Sequence, residues 1–334
     1  MCRIAGIIDS NRQSDEIKAD VIAMCDAMAH GGPDDKGYHS INNHIVFGHR
    51  RLAIIDLSVA GHQPMLFNEL SITYNGEIYN YKDLKKQLEN LNFSFTTETD
   101  TEVIIIGFKA WGIELFNKLE GMFAFALHNA QTNETYLVRD QMGIKPLYYA
   151  ISYGNLIFAS EVKAFKQTTY LFEEDLNWQI YFLAFGHIPQ PFTTLKNIKS
   201  LTGGSFLKWS PNEKTCQEIK FTINDTVKSI NDADYASQTI KENLTTAVEK
   251  HLISDAPIGV FLSGGIDSSI ITLLAAAKAK ENLNTVSLNF AEADFSEEKY
   301  QKIITDQLVG KHTAHQINEK DFHANFEQIM NAMD

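Results

Sequence analysis

The sequence predicts two domains: an α+β domain of two stacked sheets flanked by helices, and then an α/β domain with a parallel sheet. A length of 334 residues suits two domains of ordinary size. The chain up to about residue 212 contains many strand-like runs and few helices, whereas residues 234–334 alternate helix and strand. Residues 213–233 between them are polar and predict a linker, so we place the first domain at 2–212.

Apolar periodicity predicts the elements of the first domain. Helical spacing predicts helices over residues 15–29, around 84–91 and from about residue 100, where Thr99 and Glu102 have the spacing of a capping box. Short apolar or alternating runs predict strands at 4–8, 44–47, 52–55, 70–74, 122–128, 135–139, 147–151 and 155–159. So many strands with so few helices favour two antiparallel sheets.

The second domain repeats one simple pattern. A helix is predicted at about 235–252, a strand at 257–262, a helix at about 267–280 and a strand at 285–290, followed by a further helix. Strands that alternate with helices indicate a parallel sheet with helical crossovers.

Charge and cysteine content exclude several classes of protein. The 29 basic and 42 acidic side chains give a net charge of −13, which argues against a general nucleic-acid or anionic-membrane binder. No apolar run is long enough for a membrane helix, and the N-terminal apolar stretch is too short for a signal peptide. Three cysteines without a CxxC pair suggest a reducing compartment. We therefore expect a cytoplasmic protein.

The segment Ser263-Gly-Gly-Ile-Asp-Ser-Ser269 has the chemistry of an anion site. It follows an apolar strand and opens a helix, so glycines let the backbone approach an anion while the helix N-terminus offers free N–H groups. It is not a Walker A loop, because no Gly-Lys-Ser/Thr follows. The structural alternative is a glycine-rich turn with serine caps.

This segment resembles the pyrophosphate-binding loop of the ATP pyrophosphatases, and residues 255–269 resemble the glutamine-dependent asparagine synthetases within that group. The resemblance implies an adenine nucleotide α-hydrolase-like fold and MgATP as a substrate, with no tightly bound organic cofactor. It implies that Asp267 helps to hold Mg²⁺. It also implies that the nucleotide contacts Leu262, Ser263, Gly264, Gly265, Asp267, Ser268, Ser269 and Leu288.

Cys2 follows the initiator methionine and becomes N-terminal when that methionine is removed. Its own α-amine is then available as the base for the thiol. Met1-Cys-Arg-Ile-Ala-Gly-Ile7 resembles the start of the class II glutamine amidotransferases, and seven more motifs follow in family order, beginning at residues 30, 49, 74, 99, 119, 139 and 158. The resemblance implies an Ntn-hydrolase-like α-β-β-α sandwich with Cys2 as the nucleophile.

The same resemblance implies roles for the residues of a glutamine site. Arg51 suits the α-carboxylate of glutamine, because a guanidinium binds a carboxylate in a bidentate manner, and Asp100 suits the α-ammonium. Asn75 and Gly76 would donate N–H groups to the tetrahedral oxyanion, although Asn-Gly is also a common hairpin turn. The residues that would complete the pocket are Leu52, Ile54, Ile55 and Glu77.

One position departs from the family pattern. Residues 30–34 read His-Gly-Gly-Pro-Asp, where family members mostly carry His-Arg-Gly-Pro-Asp. A cation is missing at Gly31, which alters the charge balance expected of the glutamine site.

The resemblance implies an asparagine synthase that hydrolyses glutamine and passes the ammonia to aspartate activated by ATP as an acyl-adenylate. The motifs cover the amidotransferase domain but only the opening of the synthetase domain, so we expect a truncated chain that supports the glutaminase half. The resemblance also suggests a homodimer. Two alternatives remain: a related amidotransferase acting on another carboxylate, such as a sugar acid or a peptide, and a non-catalytic fragment.

Overall fold

A computed structural model describes residues 1–211, 216–221, 230–292 and 295–333. These residues separate into two compact units, of which the first reaches residue 221 and the second begins at residue 230. Among the helices in the described ranges, none is both long and apolar enough to cross a membrane.

The first unit is built from antiparallel strands and four α-helices. Its helices are α1 (Ser14–Ala27), α2 (Tyr81–Asn90), α3 (Asp100–Trp111) and α4 (Asn177–Phe185). Its strands are β1 (Arg3–Ile8), β2 (Asp35–Asn42), β3 (Ile45–Arg51), β4 (Met65–Phe67), β5 (Leu70–Ile78), β6 (Gly121–Asn129), β7 (Glu134–Arg139), β8 (Tyr148–Ser152), β9 (Asn155–Ala159), β10 (Ile198–Ser200), β11 (Ser205–Trp209) and β12 (Cys216–Lys220).

The strands form two six-stranded sheets, ordered β10-β8-β9-β1-β3-β2 and β12-β11-β7-β6-β5-β4. An apolar core lies between the sheets, where Ile4 and Phe47 of one sheet pack in the same buried cluster as Ala126 and Leu207 of the other. Strands bury alternate residues on this inner face because successive side chains point to opposite faces. This arrangement places the ends of β1, β3 and β5 close together.

Helices cover the outer face of each sheet. Ile17, Val21 and Met24 of α1 pack against Ala5 and other apolar residues on the outer face of the first sheet. Helix α3 packs against β4 and β5 of the second sheet, and α2 packs against α3. The layers are therefore helix, sheet, sheet and helix, and the predicted α-β-β-α sandwich is confirmed.

The second unit has the predicted α/β character. Its strands β13 (Gly259–Phe261), β14 (Asn284–Phe290) and β15 (Lys311–Ile317) form a parallel sheet in that order. Its helices are α5 (Ala233–His251), α6 (Ile266–Ala279), α7 (Glu298–Thr305) and α8 (Glu319–Ala332). Strand β13 leads directly into the glycine-rich loop and then into α6, which is the strand–loop–helix order predicted for residues 257–280.

Two predictions of local structure are wrong. Residues 52–55, predicted as a strand, form a loop, because the Leu52 N–H donates to Cys2 Sγ and the Ala53 N–H donates to the Asp34 carboxylate instead of to a neighbouring strand. Residues 216–220, placed in the linker, form β12 and pair with β11 at the edge of the second sheet. The other linker residues 213–215 and 222–229 lie outside the described residues, and the domain limits stay a prediction.

The predicted capping box at α3 is half formed. The Thr99 side chain accepts the Glu102 N–H, as an N-cap should. The Glu102 carboxylate turns instead to the backbone N–H groups of Thr96 and Thr97. It thereby fixes the turn that brings Asp100, the first residue of α3, to the end of β5.

Candidate active site

A pocket at the end of the first unit's two sheets brings the predicted glutamine-site residues together. Its lining includes all nine of them: Cys2, Arg51, Leu52, Ile54, Ile55, Asn75, Gly76, Glu77 and Asp100. They come from the residue before β1, the end of β3 with the loop after it, the end of β5 and the start of α3, so the tertiary fold unites four separate stretches of chain.

The free edge of β5 forms one wall of the pocket. Strand β6 pairs with the whole of β5, whereas β4 pairs only with residues 70–72. Beyond β4, the N–H of Tyr74 donates to Gln63 Oε1 at 2.7 Å, and the N–H of Ile78 donates to Asp100 Oδ2 at 3.0 Å. Because alternate residues of an antiparallel strand direct their N–H groups to the same edge, the N–H of Gly76 points to this edge between them.

Asn75 and Gly76 offer two kinds of donor. Asn75 is 1% exposed, and its Nδ2 has no hydrogen-bond partner among the residues described here. A buried amide without a partner costs free energy, so this group suits a ligand that accepts a hydrogen bond. A Cβ on Gly76 would lie 2.3 Å from the Met122 carbonyl oxygen, so only glycine fits this position.

Asp100 is held as an acceptor at the floor of the pocket. Its Oδ2 accepts the Tyr74 hydroxyl at 2.7 Å as well as the Ile78 N–H. Burial raises the pKa of Asp100, and these two hydrogen bonds oppose the rise because they stabilise the carboxylate. A bound ammonium group would favour the same ionised form.

Arg51 is fixed by the loop that follows β3. Its guanidinium donates to the carbonyl oxygens of Ser58 at 2.7 Å, Ile55 at 3.5 Å and Asp56, so three of its five N–H donors hold the loop. The side chain is buried, and a Cβ on Gly61 would lie 1.9 Å from its Nη2. The close approach of the Gly61 backbone therefore fixes the guanidinium at the pocket.

The thiol of Cys2 meets the loop residue Leu52. The Leu52 N–H donates to Sγ at 3.2 Å, and the thiol lies 3.4 Å from the Leu52 carbonyl oxygen, to which it can donate. Burial raises the pKa of the Cys2 thiol, while the Leu52 hydrogen bond opposes that rise. A thiol with a raised pKa is mostly protonated at neutral pH, so it needs a base to become a nucleophile.

A buried acid–base pair lies beside Cys2. Burial raises the pKa of Glu77 to about 7, although the nearby Lys145 opposes the rise. Burial lowers the pKa of Lys145, and Glu77 in turn opposes that shift. The Lys145 Nζ lies 2.9 Å from Met1 Sδ, so Met1 occupies the part of the pocket between Lys145 and Cys2.

Sequence reasoning missed seven residues of the lining: Met1, Gly61, Gln63, Tyr74, Thr99, Thr101 and Lys145. Tyr74, Thr99 and Lys145 stand inside motifs that the sequence shows, so membership of a motif was the available signal. No local pattern marks Gln63, whose amide acts through its contacts with Tyr74 and Thr101.

The glycine-rich loop of the second unit has the geometry of an anion cradle. Gly264 has φ of +98°, a conformation that favours glycine. Gly265 is the N-cap of α6 and supplies no side-chain cap, so the first N–H groups of the helix are available to a ligand. The Ser263 hydroxyl lies 2.9 Å from that of Ser268, and the Ser269 hydroxyl donates to the Gly265 carbonyl.

The other predicted nucleotide contacts lie around this loop. One apolar pocket is lined by Leu262, Ser263 and Leu288 together with Phe261, Phe290 and Phe295. Leu262 is buried, whereas Leu288 is 49% exposed. Asp267 lies exposed in the first turn of α6, where one carboxylate suits a magnesium ion that arrives with phosphates. Among the described residues, no group of three or more histidine, cysteine, aspartate or glutamate side chains could hold a metal ion.

An α-β-β-α sandwich in which the cysteine just before the first strand lies in a pocket with amide donors, one arginine and one aspartate defines a glutamine amidotransferase of the N-terminal cysteine class. Residues 1–220 match the family described as "Glutamine amidotransferase domain", and residues 239–334 match the family described as "Asparagine synthase". The chain therefore belongs to the glutamine amidotransferase family, in the group that also carries an asparagine synthase domain.

Curated relatives agree with this membership. A Methanocaldococcus jannaschii protein, provisionally named an asparagine synthetase [glutamine-hydrolyzing], is 34% identical over 96% of this chain and 66% of its own length. Asparagine synthetase [glutamine-hydrolyzing] 1 of Bacillus subtilis is 34% identical over 89% of this chain and 47% of its own length. The chain thus spans about half to two thirds of the length of these relatives.

A solved structure shows the same fold at low identity. Glutamine phosphoribosylpyrophosphate amidotransferase from B. subtilis, complexed with ADP and GMP, has a TM-score of 0.51 and 16% identity, over 95% of this chain and 81% of that chain. This likeness supports the fold of the sandwich.

Proposed function

We propose that this chain carries out the glutaminase half of a glutamine-hydrolysing asparagine synthase. Cys2 releases ammonia from glutamine, and the ammonia then attacks an aspartate side-chain carboxylate that ATP has adenylated. The products are glutamate, asparagine, AMP and pyrophosphate. The family match and the named relatives support this reaction over other acceptor carboxylates.

The observation that carries the proposal is the buried Nδ2 of Asn75, which has no hydrogen-bond partner within the described part of the chain and lies in the same pocket as the Cys2 thiol. The Gly76 N–H points to the same edge of β5. Two N–H donors beside a nucleophile are what a tetrahedral oxyanion needs, and each such donor is typically worth about 10²–10³ in rate.

Hydrolysis of the Met1–Cys2 peptide bond precedes the reaction, because Met1 lines the pocket and only its removal converts the Cys2 amide nitrogen into a free α-amine. The amine takes the thiol proton, and the thiolate attacks the amide carbon of glutamine. Asn75 and Gly76 hold the resulting oxyanion. The C–N bond then breaks as the amine returns its proton to the leaving nitrogen, so ammonia departs and a thioester remains. Water attacks the thioester and releases glutamate.

Glutamine recognition follows from the charges of the pocket. The fixed Arg51 guanidinium binds the α-carboxylate, and Asp100 binds the α-ammonium. The half-buried loop residues Leu52, Ile54 and Ile55 lie along the substrate, and Glu77 closes the pocket near the amide.

The second unit would bind MgATP as a substrate. The loop from Ser263 to Ser269 would hold the pyrophosphate, Leu262 and Leu288 would contact the adenosine, and Asp267 would contact the magnesium ion. No tightly bound organic cofactor is required by this chemistry. We also propose a cytoplasmic location and a homodimer, as the family resemblance implies.

The test is glutamate release from glutamine by the native chain, with mass spectrometry to establish whether Met1 has been removed. Cys2→Ala should abolish release, and Asn75→Ala should lower kcat by about 10²–10³ with little change in KM. Asn43→Ala, an exposed asparagine of the β2–β3 turn, is the matched control and should keep native activity. Release that persists in a folded Cys2→Ala chain would refute the proposal.

A further inference from the structure

The side chain of Arg3, the first residue of β1, lies beside the backbone of Cys2. Its Nη1 donates to the carbonyl oxygens of Met1 at 3.0 Å and Cys2 at 3.1 Å, while its Nε donates to Glu161 Oε1. The guanidinium therefore bridges the backbone of Cys2 to a carboxylate from a distant part of the chain. Charge-assisted hydrogen bonds of this kind are the stronger ones in proteins.

Glu161 is a rigid anchor for that guanidinium. It is 3% exposed and is the second residue after β9, with His30 Nε2 at 3.1 Å and Lys163 Nζ at 2.9 Å from its carboxylate. Burial acts against the ionised form, but hydrogen bonds from Lys163 and Arg3 outweigh it and hold the pKa of Glu161 below its usual value. The anchor is therefore a carboxylate at neutral pH.

Gly31 makes room for Arg3. A Cβ at Gly31 would lie 2.7 Å from Arg3 Cγ and 2.8 Å from Arg3 Cζ, which is closer than nonbonded atoms can approach. A side chain at position 31 and the observed Arg3 side chain therefore exclude each other. An arginine at position 31, as in the His-Arg-Gly-Pro-Asp pattern, would therefore displace the Arg3 side chain that lies against Gly31 here.

We infer that Arg3 is a positioning residue for Cys2, and that Arg3 and Gly31 form a reciprocal pair in which the strand, rather than the His30–Asp34 loop, supplies the guanidinium beneath the nucleophile. This inference rests on the glutaminase function proposed above. It accounts for glycine at position 31, where residues 30–34 depart from the His-Arg-Gly-Pro-Asp pattern.

Arg3 also affects the Cys2 α-amine, which is the proposed base. The Met1 carbonyl oxygen is two bonds from the Cys2 nitrogen, so Arg3 lies beside the α-amine that forms when Met1 is removed. A cation at this place favours the neutral amine, which is the form that accepts the thiol proton. With Met1 in place, burial lowers the pKa of the Met1 α-ammonium; Arg3 and Lys145 act in the same direction, and the Cys2 thiol and Asp34 oppose them. The Glu161 carboxylate, which pairs with Arg3, His30 and Lys163, opposes the effect of the Arg3 charge.

Exchange of the two residues is the sharpest test. Arg3→Gly removes the bridge, and Gly31→Arg crowds it, so each single variant should have a kcat for glutamate release about 10- to 100-fold below native. The double variant Arg3→Gly/Gly31→Arg restores one guanidinium and one glycine and should recover at least about tenfold over either single variant. Lys196→Gln, which breaks an exposed ion pair with Glu173, is the matched control and should keep native activity.

A second measurement separates positioning from general damage to the fold. Arg3→Gln keeps most of the side-chain volume without the charge, so the acid limb of the kcat profile should move to higher pH, whereas Arg3→Lys should retain most of the native profile. Acetylation of the Cys2 α-amine, followed by mass spectrometry across pH, should show the same shift without any need for catalysis.

Different results would overturn the role of Arg3 and the proposed function. Native kcat in folded Arg3→Gly, or a double variant no better than the singles, would overturn the inference, as would an unshifted amine titration in Arg3→Gln. If the native chain releases no glutamate, the proposed function fails. The amine titration then still decides the role of Arg3.

Discussion

The hydroxyl of Tyr74 on β5 donates to Asp100 Oδ2 on α3 at 2.7 Å, and both side chains are buried. The Ile78 N–H, four residues further along β5, donates to the same oxygen. A carboxylate bound by two donors from one strand cannot rotate away from the pocket, so Asp100 is oriented before any substrate arrives. This pre-orientation reduces the entropy lost when an ammonium group binds.

Tyr74→Phe should weaken glutamine binding more than it slows the chemical step. Burial already raises the pKa of Asp100, and loss of the Tyr74 hydroxyl removes one of the hydrogen bonds that oppose this rise. The ionised form that binds ammonium would then require a higher pH. We expect KM for glutamine to rise about tenfold at pH 7 and the acid limb of kcat/KM to move to higher pH. Tyr153→Phe, at a 94% exposed site, is the control, and an unchanged acid limb would contradict the role of Tyr74.

Gly61→Ala should disturb Arg51 without touching its charge. The new Cβ would lie 1.9 Å from Arg51 Nη2, so the guanidinium or the 55–61 loop must move. We expect KM for glutamine to rise about tenfold, because a displaced guanidinium no longer lies in the position from which it can bind the α-carboxylate. Gly259→Ala is a matched control because its nearest neighbour atom would be 3.7 Å from the new Cβ. Native KM in Gly61→Ala would show that Arg51 is not fixed by this contact.

Glu77→Gln should change how the stability of the first unit depends on pH. The pKa of Glu77 is about 7 in the folded chain, against 4.5 for an ordinary glutamate, so the native state binds the extra proton between these values. Stability contributed by this group is therefore lost as pH rises from about 4.5 through 7. The difference in free energy of unfolding between Glu77→Gln and the native chain should therefore change in favour of the variant by on the order of 1–2 kcal/mol as the pH rises from 5 to 7.5.

The measurement can be confined to the first unit. All three tryptophans, Trp111, Trp178 and Trp209, lie in that unit, so urea unfolding followed by tryptophan fluorescence reports on it alone. Glu89→Gln, on the exposed side of α2, is the control and should track the native curve. Parallel pH curves for native and Glu77→Gln would contradict the raised pKa.

Gly264→Ala should weaken nucleotide binding by the second unit. Its φ of +98° is strained for alanine, and the added Cβ would lie 3.2 Å from Glu297 Cβ, so the loop would have to change shape. We expect the Kd for MgATP, measured by calorimetric titration, to rise at least about tenfold. Gly259→Ala, one strand earlier, should bind as the native chain does. Equal Kd values for native and Gly264→Ala would remove this loop from the nucleotide site.

The local sequence pattern predicted most of the helices and strands. The run from residue 257 to 280 specifies strand, loop and helix by its own periodicity, because each of these choices depends on neighbours a few residues away. The run 52–55 looked like a strand for the same local reason. It is a loop because Cys2 and Asp34, which are distant in sequence, take its N–H groups.

The sequence by itself determined which residues are available for the chemistry: Cys2 at the start of the chain, Asn75 and Gly76 in one motif, Arg51 and Asp100 in others. Only the tertiary structure decided how they are placed. Pairing between distant strands, which no short window encodes, brings the Gly76 N–H to a free edge and places Arg3 in the space that Gly31 leaves open. The loops that carry Gln63 and Lys145 bring these residues to the same pocket as Cys2. The physical reason is that burial and pairing between distant strands depend on the whole core, whereas a motif records only residue types and spacing.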